Sequence, residues 1–273
     1  MHTRNRLPSK RLEIIITALG LLGLALFLAL YDQVFPSAAI DLELSRDEVT
    51  ARARDYLQTQ GYDLTGYESA LDFRQSSMAS YYMQQTLGVP ETNRRVRDEG
   101  LPVWYWRARW FRPLQKEEFV VDLQPDGQII GLTHSLEEEA PGANLSQEQA
   151  RALAESYLTQ DRGWTLSDWA SVAASSKTQP GDRTDHHFEW KRRDFDLEES
   201  ELRIAVDIQG DQVGGYDFWV KVPEAFQRHF ATRRGQAGFV SGLSYLVGFA
   251  VLGGVAMGVC VLTLFQGGVV GRA

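Results

Sequence analysis

One phrase, "LSRDEVTARARDYL" at residues 44–57, returns as "LSQEQARALAESYL" at residues 145–158. A chain that writes the same helix twice must solve the same folding problem twice, and this constrains its architecture more than any other feature. Ser45 and Ser146 stand where a helix N-cap belongs, and Glu48 and Gln149 follow at the spacing that completes a capping box. Behind each cap runs one apolar stripe, Val49, Ala53, Tyr56 and Leu57 in the first copy and Ala150, Ala154, Tyr157 and Leu158 in the second. Gly61 and Gly163 then end the two helices.

The likeness continues into strands. "WYWRARWF" (104–111) alternates, with Trp104, Trp106, Ala108 and Trp110 on one face and Tyr105, Arg107, Arg109 and Phe111 on the other. Its counterpart is "HFEWKR", with Trp190 set against Trp106. "EFVVDL" and "LRIAVDI" follow, each leading to a hairpin turn, Pro125-Asp126-Gly127 in one case and Gly210-Asp211 in the other. "QIIGLTH" and "QVGGYDFWVKV" close the units, and "SALDF" and "SVAAS" open them. The expected fold is therefore α+β: two tandem modules, 44–135 and 145–222, each a helix followed by a four-stranded antiparallel sheet. The first copy carries 18 extra residues within Arg74–Leu101, among them "SSMASYYMQQTLG", which predicts a short helix capped by Ser77 and stopped by Gly88. That helix either covers an end of the sheet or offers Tyr81, Tyr82 and Met83 to a partner.

Two apolar runs flank the modules. Ile14–Tyr31 holds no charge and follows Arg4, Arg6, Lys10 and Arg11. No charge occurs between Gly235 and Gly271 either. About 20 apolar residues cross a bilayer as a helix, so transmembrane helices are expected at 14–31 and 238–265. A cleaved signal peptide ending near "PSAA" (36–39) is the alternative for the first run, disfavoured by its length. The basic segment 1–13 predicts a cytoplasmic N-terminus, which places the modules outside the cytoplasm. Arg228, Arg233 and Arg234 lie on the disfavoured side of the second run and weaken that asymmetry. Gly254 and Gly258 form a small-residue pair suited to helix packing. The bilayer is thus one expected partner. The net charge of −8 argues against nucleic acid as another.

The unit that begins "LSxxExxxxAxxYL" and ends "VDLQPDGQIIG" resembles the PepSY-type α+β module of bacterial extracytoplasmic proteins. The whole order of basic N-terminus, span, two such modules and glycine-rich span resembles the N-terminal half of certain CPBP-family intramembrane proteases, the family of CAAX-processing and bacteriocin-related enzymes. The resemblance implies a bacterial membrane protein whose extracytoplasmic part binds a peptide or protein substrate, or a partner, or regulates access to a catalytic membrane domain beyond these residues. The alternative is a complete two-span protein acting on a separate peptidase.

The family's Glu-Glu-x-x-x-Arg motif has a literal match at Glu198, Glu199 and Arg203, but these residues fall between strands of the second module. Neither apolar run contains Glu, Asp or His, where an intramembrane site would need them. His186 and His187 are neighbours on a strand, and their side chains must point to opposite faces, which prevents their sharing an ion. His134 and Ser135 lack a third member for a triad. A single cysteine, Cys260, excludes an internal disulfide and a cysteine-rich zinc site. No catalytic residue, cofactor ligand or metal ligand is assigned in this chain.

Overall fold

The computed structural model of the chain describes residues 10–230, so the second expected span and the glycines Gly254 and Gly258 lie outside the described residues. Helix α1 covers Lys10–Val34. Its segment Glu13–Val34 is long and apolar enough to cross a membrane, and its side chains are unburied. A 3-10 turn at Pro36–Ala39 leads to α2, Arg46–Thr59. Then come β1 (Glu68–Gln75), α3 (Ser77–Leu87), α4 (Val89–Asp98), β2 (Trp104–Phe111), β3 (Glu118–Leu123) and β4 (Ile129–Ser135). After a linker the order resumes with α5 (Gln147–Ser156), β5 (Trp169–Thr178), β6 (Thr184–Arg192), β7 (Glu201–Gln209) and β8 (Gln212–Lys221). A second unit begins at Pro223, and its described residues are helical from 224 to 230.

Both helix starts are set by local chemistry. Ser45 and Ser146 accept from the backbone of Glu48 and Gln149, whose side chains reach back to the cap N–H groups. Each closed box satisfies two donors that a helix start leaves free. Val49, Ala53 and Leu57, and likewise Ala150, Ala154 and Leu158, are wholly buried. The helices lie on the sheet face that carries Trp106, Ala108, Trp110, Phe119, Val121, Phe188, Trp190, Ile204 and Val206, all buried. Gly61 and Gly163 leave their helices at φ 89° and 70°, a conformation other residues adopt only under strain. Gly127 at φ 87° closes the three-residue loop under the Gln124–Gln128 hydrogen bond, and Gly210 at φ 67° opens the two-residue turn between Gln209 and Gln212.

The eight strands form one antiparallel sheet in the order β1-β2-β3-β4-β8-β7-β6-β5. The two expected four-stranded sheets are thus a single sheet, joined where β4 pairs with β8. Joining them removes two unpaired edges, which separate sheets would have had to protect. The register of the join is informative. Asp122 pairs with Gly131 in the first half and Asp207 with Gly215 in the second, which makes Gly131 the counterpart of Gly215 and Leu132 that of Tyr216. Across the join, Leu132 pairs with Tyr216, Gly131 with Asp217, and Thr133 with Gly215. The pairing therefore maps onto itself when the halves are exchanged, with Leu132 and Tyr216 at its centre. The same correspondence corrects one alignment: Val121 pairs with Ala108 and Val206 with Phe188, so the counterpart of Trp190 is Trp110 rather than Trp106. The numbering offset then falls from 103 at Leu71 and Ala174 to 80 at Ala108 and Phe188, and the insertion amounts to 23 residues rather than 18.

Alternation of strand direction places the α3–α4 insertion, the β3–β4 turn, the β6–β7 loop and the end of β8 at one end of the sheet. The insertion is two helices rather than one, because Gly88 at φ 79° ends α3 and Pro90 starts α4 at once. The cap position is Ser76, not Ser77, and it makes no side-chain capping bond.

Candidate functional site

Among the places that depart from the repeat, two gather side chains that the repeat alone would not supply. The first is the foot of α1. Asn93 of α4 is 1% exposed and donates its amide to the carbonyls of Asp32 and Phe35, at 3.1 and 3.0 Å. Asp32 O is a carbonyl of the last helical turn, and Phe35 O, just past the helix, also accepts from Ala38 N–H at 3.1 Å. Arg97 donates to Ala38 O at 3.0 Å, and Ala39 is buried. Tyr31 stacks on Phe35, and Phe27 meets both rings edge to face, at the end of α1. The "PSAA" segment is therefore a folded 3-10 turn held against α4. On its other flank α4 reaches the second half of the sheet: Arg95 donates to Asp196 O at 2.7 Å and lies over the Phe195 ring.

The insertion's expected contact residues separate. Met83 is wholly buried and Tyr82 is 7% exposed, whereas Tyr81 is 40% exposed. Ala79, Tyr82 and Met83 fall at i, i+3 and i+4 and form the inward stripe of α3, so of the three only Tyr81 presents itself to solvent.

The second place is where the C-terminal ends of α2 and α5 meet over the join of the halves. The counterpart residues Tyr56 and Tyr157 meet there, hydroxyl to hydroxyl, at 2.5 Å. Burial pushes the Tyr56 phenol up to about 12, with the Tyr157 bond and the Arg162 charge opposing, and burial raises Tyr157 further still. Between Tyr56/Tyr157 and Gly61/Gly163 the repeat offset grows from 101 to 102. The added residue is taken up by a π-turn at Tyr157–Asp161, closed by Arg162 N–H to Tyr157 O at 3.1 Å. Arg162 then lies over the rings of Tyr56 and Tyr216 and donates to Ile129 O at 2.8 Å. Trp164 donates its indole N–H to the Tyr216 hydroxyl at 3.0 Å. Beside this cluster a 440 Å3 cleft is lined by Arg52, Tyr56, Asp126, Gly127, Gln128, Ile129 and Arg162.

The sheet face away from the helices carries charge in pairs. Arg107 forks onto Asp122 at 2.7 and 2.6 Å, Lys191 reaches Glu201 at 3.0 Å, and Arg203 pairs with Glu189 and Glu201. His187 meets Asp207 at 2.6 Å, a bond that holds its pKa above the ordinary histidine value. Asp217 stands at the centre of this face with its side chain still open to solvent. Crowding by neighbouring atoms, then the charges of Asp207 and Asp122, push its pKa up to about 7, with Arg107 and His187 opposing. Gly131 and Gly215 form the floor beneath Asp122 and Asp207, where a Cβ on Gly215 would lie 2.5 Å from an Asp207 oxygen.

None of the catalytic patterns comes together. Arg203 pairs with Glu189 and Glu201 rather than with Glu198 or Glu199, and Glu198 sits in the β6–β7 loop at φ 48°. His186 is buried between Ser176 Oγ at 2.8 Å and Leu145 O at 3.0 Å, on the face opposite His187. His134 meets Glu117 at 3.2 Å, and Tyr67 donates to the same carboxylate at 2.7 Å. Burial holds His134 below its ordinary pKa, and its ring stacks on Phe119. That trio holds no side chain set up as a nucleophile. Among the described residues no group of His, Cys, Asp and Glu could hold a metal ion. No protein-family model, curated protein or solved structure matches the chain.

Proposed function

We propose that this chain is the membrane-anchored recognition and regulatory part of a CPBP-type intramembrane protease system. Its sheet stands outside the cytoplasm, binds a peptide or protein substrate or a partner, and controls access to a catalytic membrane domain. The observation that carries the reading is the foot of α1. A buried asparagine from the insertion ties the end of the apolar helix to the folded part, and β8 ends at that same end of the sheet. A tether that only needed to hold a domain near a membrane would work through a loose linker. A fixed foot sets the orientation of the sheet relative to the anchor, which a gating or presenting module requires. The folded "PSAA" turn, with Ala39 buried, supports a retained anchor over a cleaved signal. The PepSY and CPBP assignments rest on the sequence resemblance. The helix-then-meander order of each half is consistent with them.

The test has two parts. Single cysteines at the exposed positions Ser77 and Ser176, with Cys260→Ala, are expected to react with a membrane-impermeant maleimide on intact cells, and labelling only after lysis would reverse the orientation. In-frame removal of residues 44–222 from the chromosomal gene is expected to change which membrane proteins are cleaved, read as new N-termini by mass spectrometry of native membranes. An unchanged set of N-termini would remove the protease connection.

A further inference from the structure

The cleft beside the joined tyrosines has the makings of a ligand site. Two guanidinium groups, Arg52 and Arg162, line it, and among the described residues neither forms an ion pair. Arg52 lies over Gly127, where a Cβ would come within 2.5 Å of its Nη1, and it donates to Asp126 O at 3.3 Å. Arg162 donates an Nη2 proton to Ile129 O and also hydrogen-bonds the Tyr216 hydroxyl, while its Nε–H is buried without a partner. Asp126, the one carboxylate in the lining, accepts from Gln128 N–H at 2.8 Å and ion-pairs with neither arginine. Tyr56, whose hydroxyl meets that of Tyr157, completes the lining.

The backbone supplies a second, independent sign. The one-residue π-turn that sets Arg162 over Tyr56 has no equivalent at the end of α2. Such turns weaken a helix and recur at functional positions. The residue added to the second half brings a cation to a cleft that also holds a cation from the first half.

We infer that the cleft lined by Arg52, Arg162 and Tyr56 binds a small oxyanion, a carboxylate or phosphate group, held by the two guanidinium forks with the phenol as an additional donor. Arg is suited to this because its planar fork matches both groups. A volume of 440 Å3 admits a small acid or the end of a chain. The site depends on both halves of the sheet, since Arg52 and Tyr56 come from one and Arg162 from the other, so its occupant would also brace the join.

Isothermal titration of the full chain in detergent micelles tests this with four probes: inorganic phosphate, acetate, and triglycine with a free or an amidated C-terminus. Saturable binding of one site per chain is expected for at least one oxyanion probe. Arg52→Gln and Arg162→Lys are each expected to weaken it about tenfold to a hundredfold, the range for loss of a charged hydrogen bond. Arg54→Gln, one charge removed from α2 outside the cleft, should leave it unchanged. Binding of free but not amidated triglycine would identify a chain-end carboxylate, and binding of phosphate alone a free phosphate or phosphomonoester. No saturable binding of any probe, or binding that survives both Arg52→Gln and Arg162→Lys, would overturn the inference. Arg52 is exposed, so its variant remains informative even if Arg162→Lys disturbs folding.

Discussion

Removing the Tyr56 hydroxyl should cost more than removing its partner, and removing both should cost less than either loss suggests. The two oxygens are 2.5 Å apart, and Tyr157 is 2% exposed whereas Tyr56 is half-buried. In Tyr56→Phe the Tyr157 hydroxyl is left buried without its partner, a penalty of about 1–3 kcal/mol. In Tyr157→Phe the stranded hydroxyl belongs to Tyr56, a less buried residue that lines the cleft, so the loss falls at or below the lower end of that range. In the double variant two apolar rings meet and no polar atom is stranded, which can be nearly neutral. A coupling of about 1–2 kcal/mol is therefore expected from the cycle, with the double variant more stable than Tyr56→Phe alone. For a folded part of this size each kcal/mol moves the thermal midpoint by about 2–4 °C. Near-UV circular dichroism of the full chain in detergent at pH 7 reads it, because both phenols are protonated there: Tyr56 is held up to about 12 and Tyr157 higher. Losses that simply add in the double variant would refute the bond, and with it the claim that counterpart residues close the join.

Gly215→Ala should destabilise the fold by about 1–3 kcal/mol as an overpacked site, because the new Cβ would meet Asp207 at 2.5 Å, and Gly131→Ala should cost less, since its tightest contact is 3.1 Å; equal midpoints for the two in thermal melts would contradict the register. Asp217 binds its proton more tightly in the folded state, so the stability it contributes is complete below its unfolded value and is lost as pH rises toward about 7. Asp217→Asn should therefore raise the thermal midpoint at pH 8 and leave it unchanged below about pH 4, and a pH-independent difference would sink the assignment.

Much of the fold is readable from local signals. Capping boxes, turn glycines and strand alternation act within a few residues, so both helices, all eight strands and both hairpin turns can be placed from the sequence. The buried stripe of α3 was readable too: Ala79, Tyr82 and Met83 have helical spacing, whereas three consecutive residues cannot share one helix face. The joining of β4 to β8 was not readable, because it depends on which exposed edges meet across more than eighty residues of chain. A residue-by-residue match of tryptophans misled for a related reason: Trp106 and Trp110 both face the core, and cross-strand register alone decides which of them answers to Trp190. Arg162 gave no motif because its partners are a backbone carbonyl, two rings and the Tyr216 hydroxyl, which carry no spacing in sequence. The one-residue change of offset after Tyr157 was the available signal.

That offset and the insertion suggest why a duplicated unit is worth having. If the two halves served only to complete one sheet, folding would favour keeping them alike, since each half already specifies its caps, turns and core. They differ instead in several connections, and two of the differences lie across the boundary between halves. The insertion rises from the first half, grips the end of α1 through Asn93 and touches the β6–β7 loop of the second through Arg95. The π-turn rises from the second half and sets Arg162 beside Arg52 and Tyr56 of the first. One departure thus links α1 to both halves, and the other builds a charged cleft from both. In a chain with a fixed foot, a ligand that braces the join would stiffen the unit as a whole, and α1 would feel it through the same sheet.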